Sequence, residues 1–288
     1  MRRRTVPGLL LVAMAGGALG CMTPPPVNSA SAAPAIAAAA STAPAVASPP
    51  GPTPAPAYAA SELCRSEERP HDSPMFPGLI DDAEEGSGQI IEHDGRNGVV
   101  YSYVEPHAVL VLGATMSRQL PRPILGGAHG SRCAWNLRGE LARQLPMWAG
   151  LGMDMTNPRS AYDASRFTGV SFFARRTPGS ATFIEVLIPD ANTDPGGKVC
   201  TKCFNYFKRR VALSDDWRQY TLPFESFQQM PGWGAPRPEH LDASKVFAVQ
   251  FVVNEPGERF DFWIDDIAFV APGAPPPAAP LRPVPGDR

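Results

Sequence analysis

RFDFWIDDIAFV, residues 259–270, is the stretch whose reading decides the fold. Its side chains alternate with period 2, which puts Phe260, Phe262, Ile264 and Ala268 on one face and Trp263, Ile267 and Phe269 on the other. That is the pattern of a strand covered on both sides. Asp265 and Asp266 interrupt the run, and because neighbours on a strand point oppositely, one of them must face the buried side. A buried carboxylate needs a cation or several donors. A second acidic cluster, LIDDAEEGSG at 79–88, opens the folded part of the chain. The expectation is that the first and last strands lie side by side and that their carboxylates share a hard, oxygen-seeking cation such as Ca²⁺.

Outward from this strand, period-2 apolar patterns predict further strands at 79–84, 98–104, 133–138, 149–154, 168–176, 182–189, 208–213, 217–223 and 245–253. Gly, Pro, Asn and Asp fall between nearly all of them. The one helical hint is a turn around Glu225–Gln229. Many short strands without a helix-length pattern imply an all-β sandwich of jelly-roll type, a single domain over 61–270.

The ends read differently. Arg2, Arg3 and Arg4 precede an apolar stretch, Gly8 to Leu19, and a small-residue cleavage site at Gly20-Cys21, which together form a secretory signal over 1–20. Residues 21–60 are almost wholly Ala, Pro, Ser and Thr, and such a segment buries too little apolar surface to repay ordering. It reads as an extended tether, and 271–288 as a second Pro-rich segment. These two segments hold 17 of the 34 prolines. No other apolar run reaches the length a membrane-spanning helix needs.

A formal net charge of −2 and a pI near 6.2 argue against a nucleic-acid partner. Cys64, Cys133, Cys200 and Cys203 are an even set in an exported chain, so disulfides are the default. Of three possible pairings, the short spacing favours Cys200 with Cys203, leaving Cys64 to tie the N-terminal extension to Cys133. A redox or zinc role for the Cys-x-x-Cys is the alternative, but the pair runs into a strand-like segment rather than opening a helix.

Several segments carry a family resemblance: LIDDAEEGSG, NGVVYSYVE at 97–105, YDASRFTGVSFFARR at 162–176, VALSDDWRQYTLPFESFQQMPGW at 211–233 and the closing FDFWIDDIAFV. Together they resemble a galactose-binding-like β-sandwich, the fold of many carbohydrate-binding modules, family 11 among them, and of exported lipoproteins of myxobacteria. One departure is Ala83, where such openings usually carry Phe. The resemblance implies a structural calcium between Glu84 and Asp265, with Asp82, Asn97 and Asp266 as further oxygen donors. The alternative is that these acids cap turns without metal. The signal resembles that of a lipoprotein, in which Cys21 would carry the lipid and anchor the protein to the bacterial envelope; an ordinary cleaved signal is the other reading.

Strand alternation points to a ligand face. Val170, Phe172 and Ala174 inward put Arg175 outward, Ile184, Val186 and Ile188 inward put Glu185 outward, and Val249 and Phe251 inward put Gln250 outward. These three are expected to share one sheet face with Tyr101 and Tyr103, where aromatic rings stack on sugar C–H surfaces and polar groups hold hydroxyls. A cross-strand Arg175–Glu185 pair is the plainer alternative. Trp135 on the CAWNL run and Trp233 in the loop MPGWGAPRP, read as exposed rings, are further candidates, whereas Trp217 and Trp263 read as packing and Trp148 as either. No nucleophile elbow, zinc motif or phosphate loop is present, and the five histidines are scattered, so the reading is a non-catalytic polysaccharide-binding protein. A structural or protein-interaction module on the same fold is the main rival, and a glycoside hydrolase, which needs only two carboxylates, a weaker one.

Overall fold

The structure, a computed structural model, describes Cys64 and residues 77–104, 109–110, 121, 123–143 and 148–273. The signal, Cys21, the 21–60 tether and almost all of the 271–288 tail lie outside the described residues. Twelve strands are seen: β1 Leu79–Asp81, β2 Val100–Val104, β3 Val109–Leu110, β4 Ile124–Leu125, β5 Cys133–Glu140, β6 Ala149–Asp154, β7 Gly169–Arg176, β8 Phe183–Ile188, β9 Phe207–Ala212, β10 Arg218–Pro223, β11 Ala248–Val253 and β12 Arg259–Val270. The expected helical turn is a 3₁₀ turn, Phe224–Ser226. No helix among the described residues is long and apolar enough to cross a membrane.

The strands form the expected antiparallel β-sandwich. A back sheet runs β10-β7-β12-β5-β3, with β1 added to β12 and β4 to β5, and a front sheet runs β2-β6-β11-β8-β9. Phe172 of the back sheet meets Phe251 of the front sheet edge to face at 5.0 Å between ring centroids, and Trp135, Phe207, Phe260 and Phe262 fill the space around them. At one end the fully buried Arg96 closes the core. It donates to the Tyr162 hydroxyl and the Leu79 carbonyl and lies over the Tyr162 and Phe269 rings.

The closing strand is central to the back sheet, as its sequence implies, but its two faces differ from strict alternation. Phe260, Phe262 and Ile264 face the core, and then Ile267 and Phe269 join them while Ala268 turns out. The cause is an irregularity in the β7 register between Asp265 and Ala268, where Asp266 takes a left-handed φ of 46°. One extra residue inverts the phase of everything after it. The same point is where β12 exchanges its β5 neighbour for β1, which pairs Leu79 with Ala268 and Asp81 with Ile267. The first and last strands therefore do lie side by side. β1 ends at Asp81 rather than at Glu84, because Ala83 turns the chain with a φ of 62°.

Both disulfides are formed, Cys64–Cys133 and Cys200–Cys203. The second closes a loop that Asn205 ties to its neighbour by donating to the carbonyls of Met230 and Trp233.

Candidate binding face and acidic cluster

On the outer surface of the front sheet, the register lines up Tyr101, Gly152, Gln250, Leu187 and Lys208 across five strands. The next row is Tyr103, Gly150, Val252, Glu185 and Arg210. Both glycines exist for space. A Cβ on Gly152 would lie 2.5 Å from Tyr101 Cζ, and one on Gly150 2.4 Å from Tyr103 Cζ, so each tyrosine ring lies flat across a glycine of β6. Gln250 fixes both rings: it accepts from the Tyr103 hydroxyl at 2.9 Å and donates to the Tyr101 oxygen at 2.9 Å. Tyr101 and Gln250 are buried by this arrangement, while Tyr103 and Leu187 keep partly open surfaces. The result is a shallow aromatic and aliphatic floor with oriented polar groups set into it.

The floor has charged rims. Lys208 Nζ meets both oxygens of Glu185 at 2.8 and 2.9 Å, and Asn254 donates to the same carboxylate at 3.0 Å. Beyond Tyr101, Arg159 bridges Asp154 and Asp194 through charge-assisted hydrogen bonds of 2.7–2.9 Å, and the Tyr206 hydroxyl donates to Asp194. Burial alone would raise the Asp194 carboxyl, but Arg159, the Gly196 N–H and Tyr206 together hold it below the usual carboxylate range. Burial and the adjacent Asp194 push the Tyr206 phenol upward. Asn254, Tyr206, Arg159 and Asp194 are no part of the sequence reading, and Lys208 enters it only as the start of the basic run KRR at 208–210. The alternation of FNYFKRR at 204–210 could have exposed Tyr206 and Lys208, whereas Arg159 and Asp194 sit in loops whose approach only folding reveals.

Of the residues expected on one face, Tyr101, Tyr103, Glu185 and Gln250 come together. Arg175 does not. It lies in β7 of the back sheet, on the far side of the sandwich, because alternation assigns a face within a strand and says nothing about which sheet the strand joins. Glu185 has Lys208 as its ion-pair partner instead. Trp135 lies on the expected strand but faces the core rather than a ligand: it is 2% exposed in β5, and its Nε1 donates to Asp81 at 2.5 Å. Trp233 is on an exposed loop, beside exposed Phe204 and Met230. Trp148 is also exposed, and Trp217 and Trp263, expected as packing, are half-buried on the outer back sheet.

The acidic cluster forms where β1 meets β12. Asp81, Asp82, Glu84 and Asp265 are all buried. The turn leading into β5 holds two of them: Glu84 Oε1 accepts from Ser131 Oγ and from the N–H groups of Arg132 and Cys133, and Asp265 Oδ2 accepts from the Ala128 N–H at 2.7 Å. Those bonds leave charge unanswered. Glu84 Oε2 is buried with no partner, burial and then Asp266 push Asp265 up to about 8, and burial pushes Asp81 up to about 8 despite donors from Trp135 and Ala83. An all-oxygen donor set whose acids need a counter-charge to ionise together is what a hard cation fits. Among the described residues no three Asp, Glu, His or Cys side chains converge as a ligand set, so an ion here would draw the rest of its shell from other oxygens. Asn97 is no part of the cluster. Its side chain exchanges two hydrogen bonds with the backbone of Asn157.

No family model matches the chain, and no curated protein matches it. Solved structures similar to it include a family 11 carbohydrate-binding module from Clostridium thermocellum in complex with a β-1,3-1,4-mixed-linked tetrasaccharide. That match has 15% identity, covers 67% of this chain and 95% of that one, and has a TM-score of 0.48. A family 30 carbohydrate-binding module matches at 13% identity over 59% of this chain and 91% of that one, with a TM-score of 0.44. An exo-β-agarase matches at 14% identity over 69% of this chain and 25% of its own length, with a TM-score of 0.42.

Proposed function

We propose that the protein is a non-catalytic carbohydrate-binding protein that uses the outer face of the front sheet. The observation that carries this reading is the pair of tyrosines laid across Gly150 and Gly152 and clamped by Gln250. A pyranose offers an apolar C–H face to such rings and hydroxyls to the amide, the phenols and Glu185. The carboxylates around the floor are engaged, Glu185 by Lys208 and Asp154 and Asp194 by Arg159, so none stands ready as the proton donor that glycoside hydrolysis requires. The two disulfides support an exported location. The lipid at Cys21 and the 21–60 tether that would hold the sandwich off a bacterial envelope belong to the same proposal. A calcium ion held by Glu84 and Asp265, with Asp82 and Asp266 nearby, would supply the missing counter-charge to the acidic cluster; a rise in Tm with calcium and a fall with chelator is expected. The rival reading, a protein-interaction module, is favoured by the exposed apolar loop residues Phe204, Met230 and Trp233.

The deciding experiment is affinity electrophoresis of the protein through neutral polysaccharides. Retardation that disappears in Tyr103→Ala at unchanged Tm, and in a still-folded Gln250→Ala, supports the front face. Retardation that survives both substitutions, or none on any polysaccharide, removes it.

A further inference from the structure

Arg175, excluded from the front face, belongs to a different constellation on the outer surface of the back sheet. The register brings Asn136, Trp263 and Arg175 into one row, and Trp217 extends it, being next to Arg218, the partner of Ala174. The guanidinium carbon lies 4.3 Å from the Trp263 ring centroid and 5.2 Å from that of Trp217, so the cation packs against two indoles. Among the described residues it makes no hydrogen bond and no ion pair, and its Nε and the Trp263 Nε1 are buried without partners. Burial lowers the Arg175 pKa, with Asp261 working against that. A partly desolvated cation with no carboxylate in contact is an energetic deficit that a bound anion would reduce.

The same face continues into a cleft. Two residues along β5 and β12 from the tryptophan row, Arg138 and Asp261 are paired in register, and both line a cleft of about 1070 Å³ at the end of the sheet. Arg143, Arg259 and Glu140 line it too. Arg138, Arg143 and Arg259 are exposed, and among the described residues no side-chain ion pair or hydrogen bond is made by their guanidinium groups. Asp261 already accepts from Asn136. Four arginines thus face two carboxylates along one strip, although the whole chain carries a formal charge of −2.

We propose that this strip is a second binding site, specific for an acidic saccharide of the uronate type. A guanidinium presents two parallel N–H groups to a carboxylate, and the indoles that flank Arg175 offer apolar surface to the ring bearing it. A neutral sugar offers the arginines hydroxyl acceptors only, without the charge that makes a carboxylate the stronger partner. The indole pair favours a flat pyranose over an extended acidic peptide. Because the strip is on the opposite side of the sandwich from Tyr103 and Gln250, the proposal is independent of the front-face reading.

The test is calorimetric titration of the full chain with oligogalacturonate, a neutral β-glucan oligosaccharide and polyglutamate, each at low and high salt. Oligogalacturonate is expected to bind, to weaken with salt, and to lose about tenfold in affinity in Arg175→Ala, the scale of one charge-assisted hydrogen bond. A similar loss is expected in Arg138→Ala/Arg259→Ala, a double variant of exposed side chains that leaves the core untouched. Arg175→Lys, which keeps the charge and loses the planar fork, should weaken binding as well, while affinity for the neutral oligosaccharide stays unchanged in every back-sheet variant. The proposal is overturned by absence of oligogalacturonate binding, by equal affinity for polyglutamate, by full affinity in the double variant, or by loss in Tyr103→Ala.

Discussion

Adding one methyl group at Gly152 and, separately, at Gly150 separates packing from binding on the front face. In both cases the new Cβ would intrude on a tyrosine ring: 2.5–2.8 Å from three Tyr101 atoms for Gly152→Ala, and 2.4–2.7 Å from three Tyr103 atoms for Gly150→Ala. Neither glycine has a left-handed φ, so backbone strain does not enter. What differs is the freedom of the ring to yield. Tyr101 is 3% exposed and bonded to Gln250, and moving it costs the overpacking penalty of about 1–3 kcal/mol. The alanine reduces unfolded-chain entropy and returns about 0.4–1 kcal/mol. The net loss for Gly152→Ala is then roughly 1–2 kcal/mol, a fall in Tm of about 2–8 °C for a domain of this size. Tyr103 is bonded to Gln250 as well but is only half-buried, so it can swing toward solvent where water replaces that bond; the rotamer cost of about 0.5–1.5 kcal/mol is partly offset and Tm should fall less than for Gly152→Ala. Gly150→Ala should nevertheless weaken oligosaccharide binding by about tenfold, the worth of one lost ring contact. Scanning calorimetry of both variants and titration with a neutral oligosaccharide check this. A Tm for Gly152→Ala equal to that of the parent, or a larger fall for Gly150→Ala, refutes the view that the tyrosines rest on these glycines.

Two further outcomes are expected. Asp194 is held below the ordinary carboxylate range in the folded protein, so its contribution is complete above the unfolded pKa of about 4 and is lost as pH falls through the lower folded value. Asp194→Asn should therefore lower Tm at neutral pH and flatten the acid limb of a Tm-against-pH curve; an unchanged slope counts against the Arg159 bridge. The disulfides should differ by loop length: opening Cys64–Cys133, which spans 69 residues, should cost about 4 kcal/mol, and opening Cys200–Cys203, which spans 3, about 2 kcal/mol. Denaturant melts of Cys64→Ser/Cys133→Ser and Cys200→Ser/Cys203→Ser compare them directly, and equal losses contradict the loop-closure reasoning.

What the amino-acid sequence determined alone was local and periodic. The strands at 169–176, 183–188 and 248–253 and the inward-facing Phe172, Val186 and Phe251 follow from period-2 burial, and a buried acid in the closing strand follows from IDD within an apolar run. Four residues of the front face, Tyr101, Tyr103, Glu185 and Gln250, were legible for the same reason: each alternates with a core residue. Tertiary structure decided the rest, because it depends on neighbours distant in the chain. The irregularity at Asp265–Ala268 changes which aromatics are core, and sheet membership puts Arg175 opposite the tyrosines. Trp135, read as a ring open to ligand, becomes core once Asp81 reaches its Nε1, and Arg159 acquires its role when folding brings the end of β6 at Asp154 and the loop at Asp194 to it. Periodicity tells each strand which side to bury. Only the pairing of strands tells those sides what they face, since a sheet's register and partners are set by packing across the whole core.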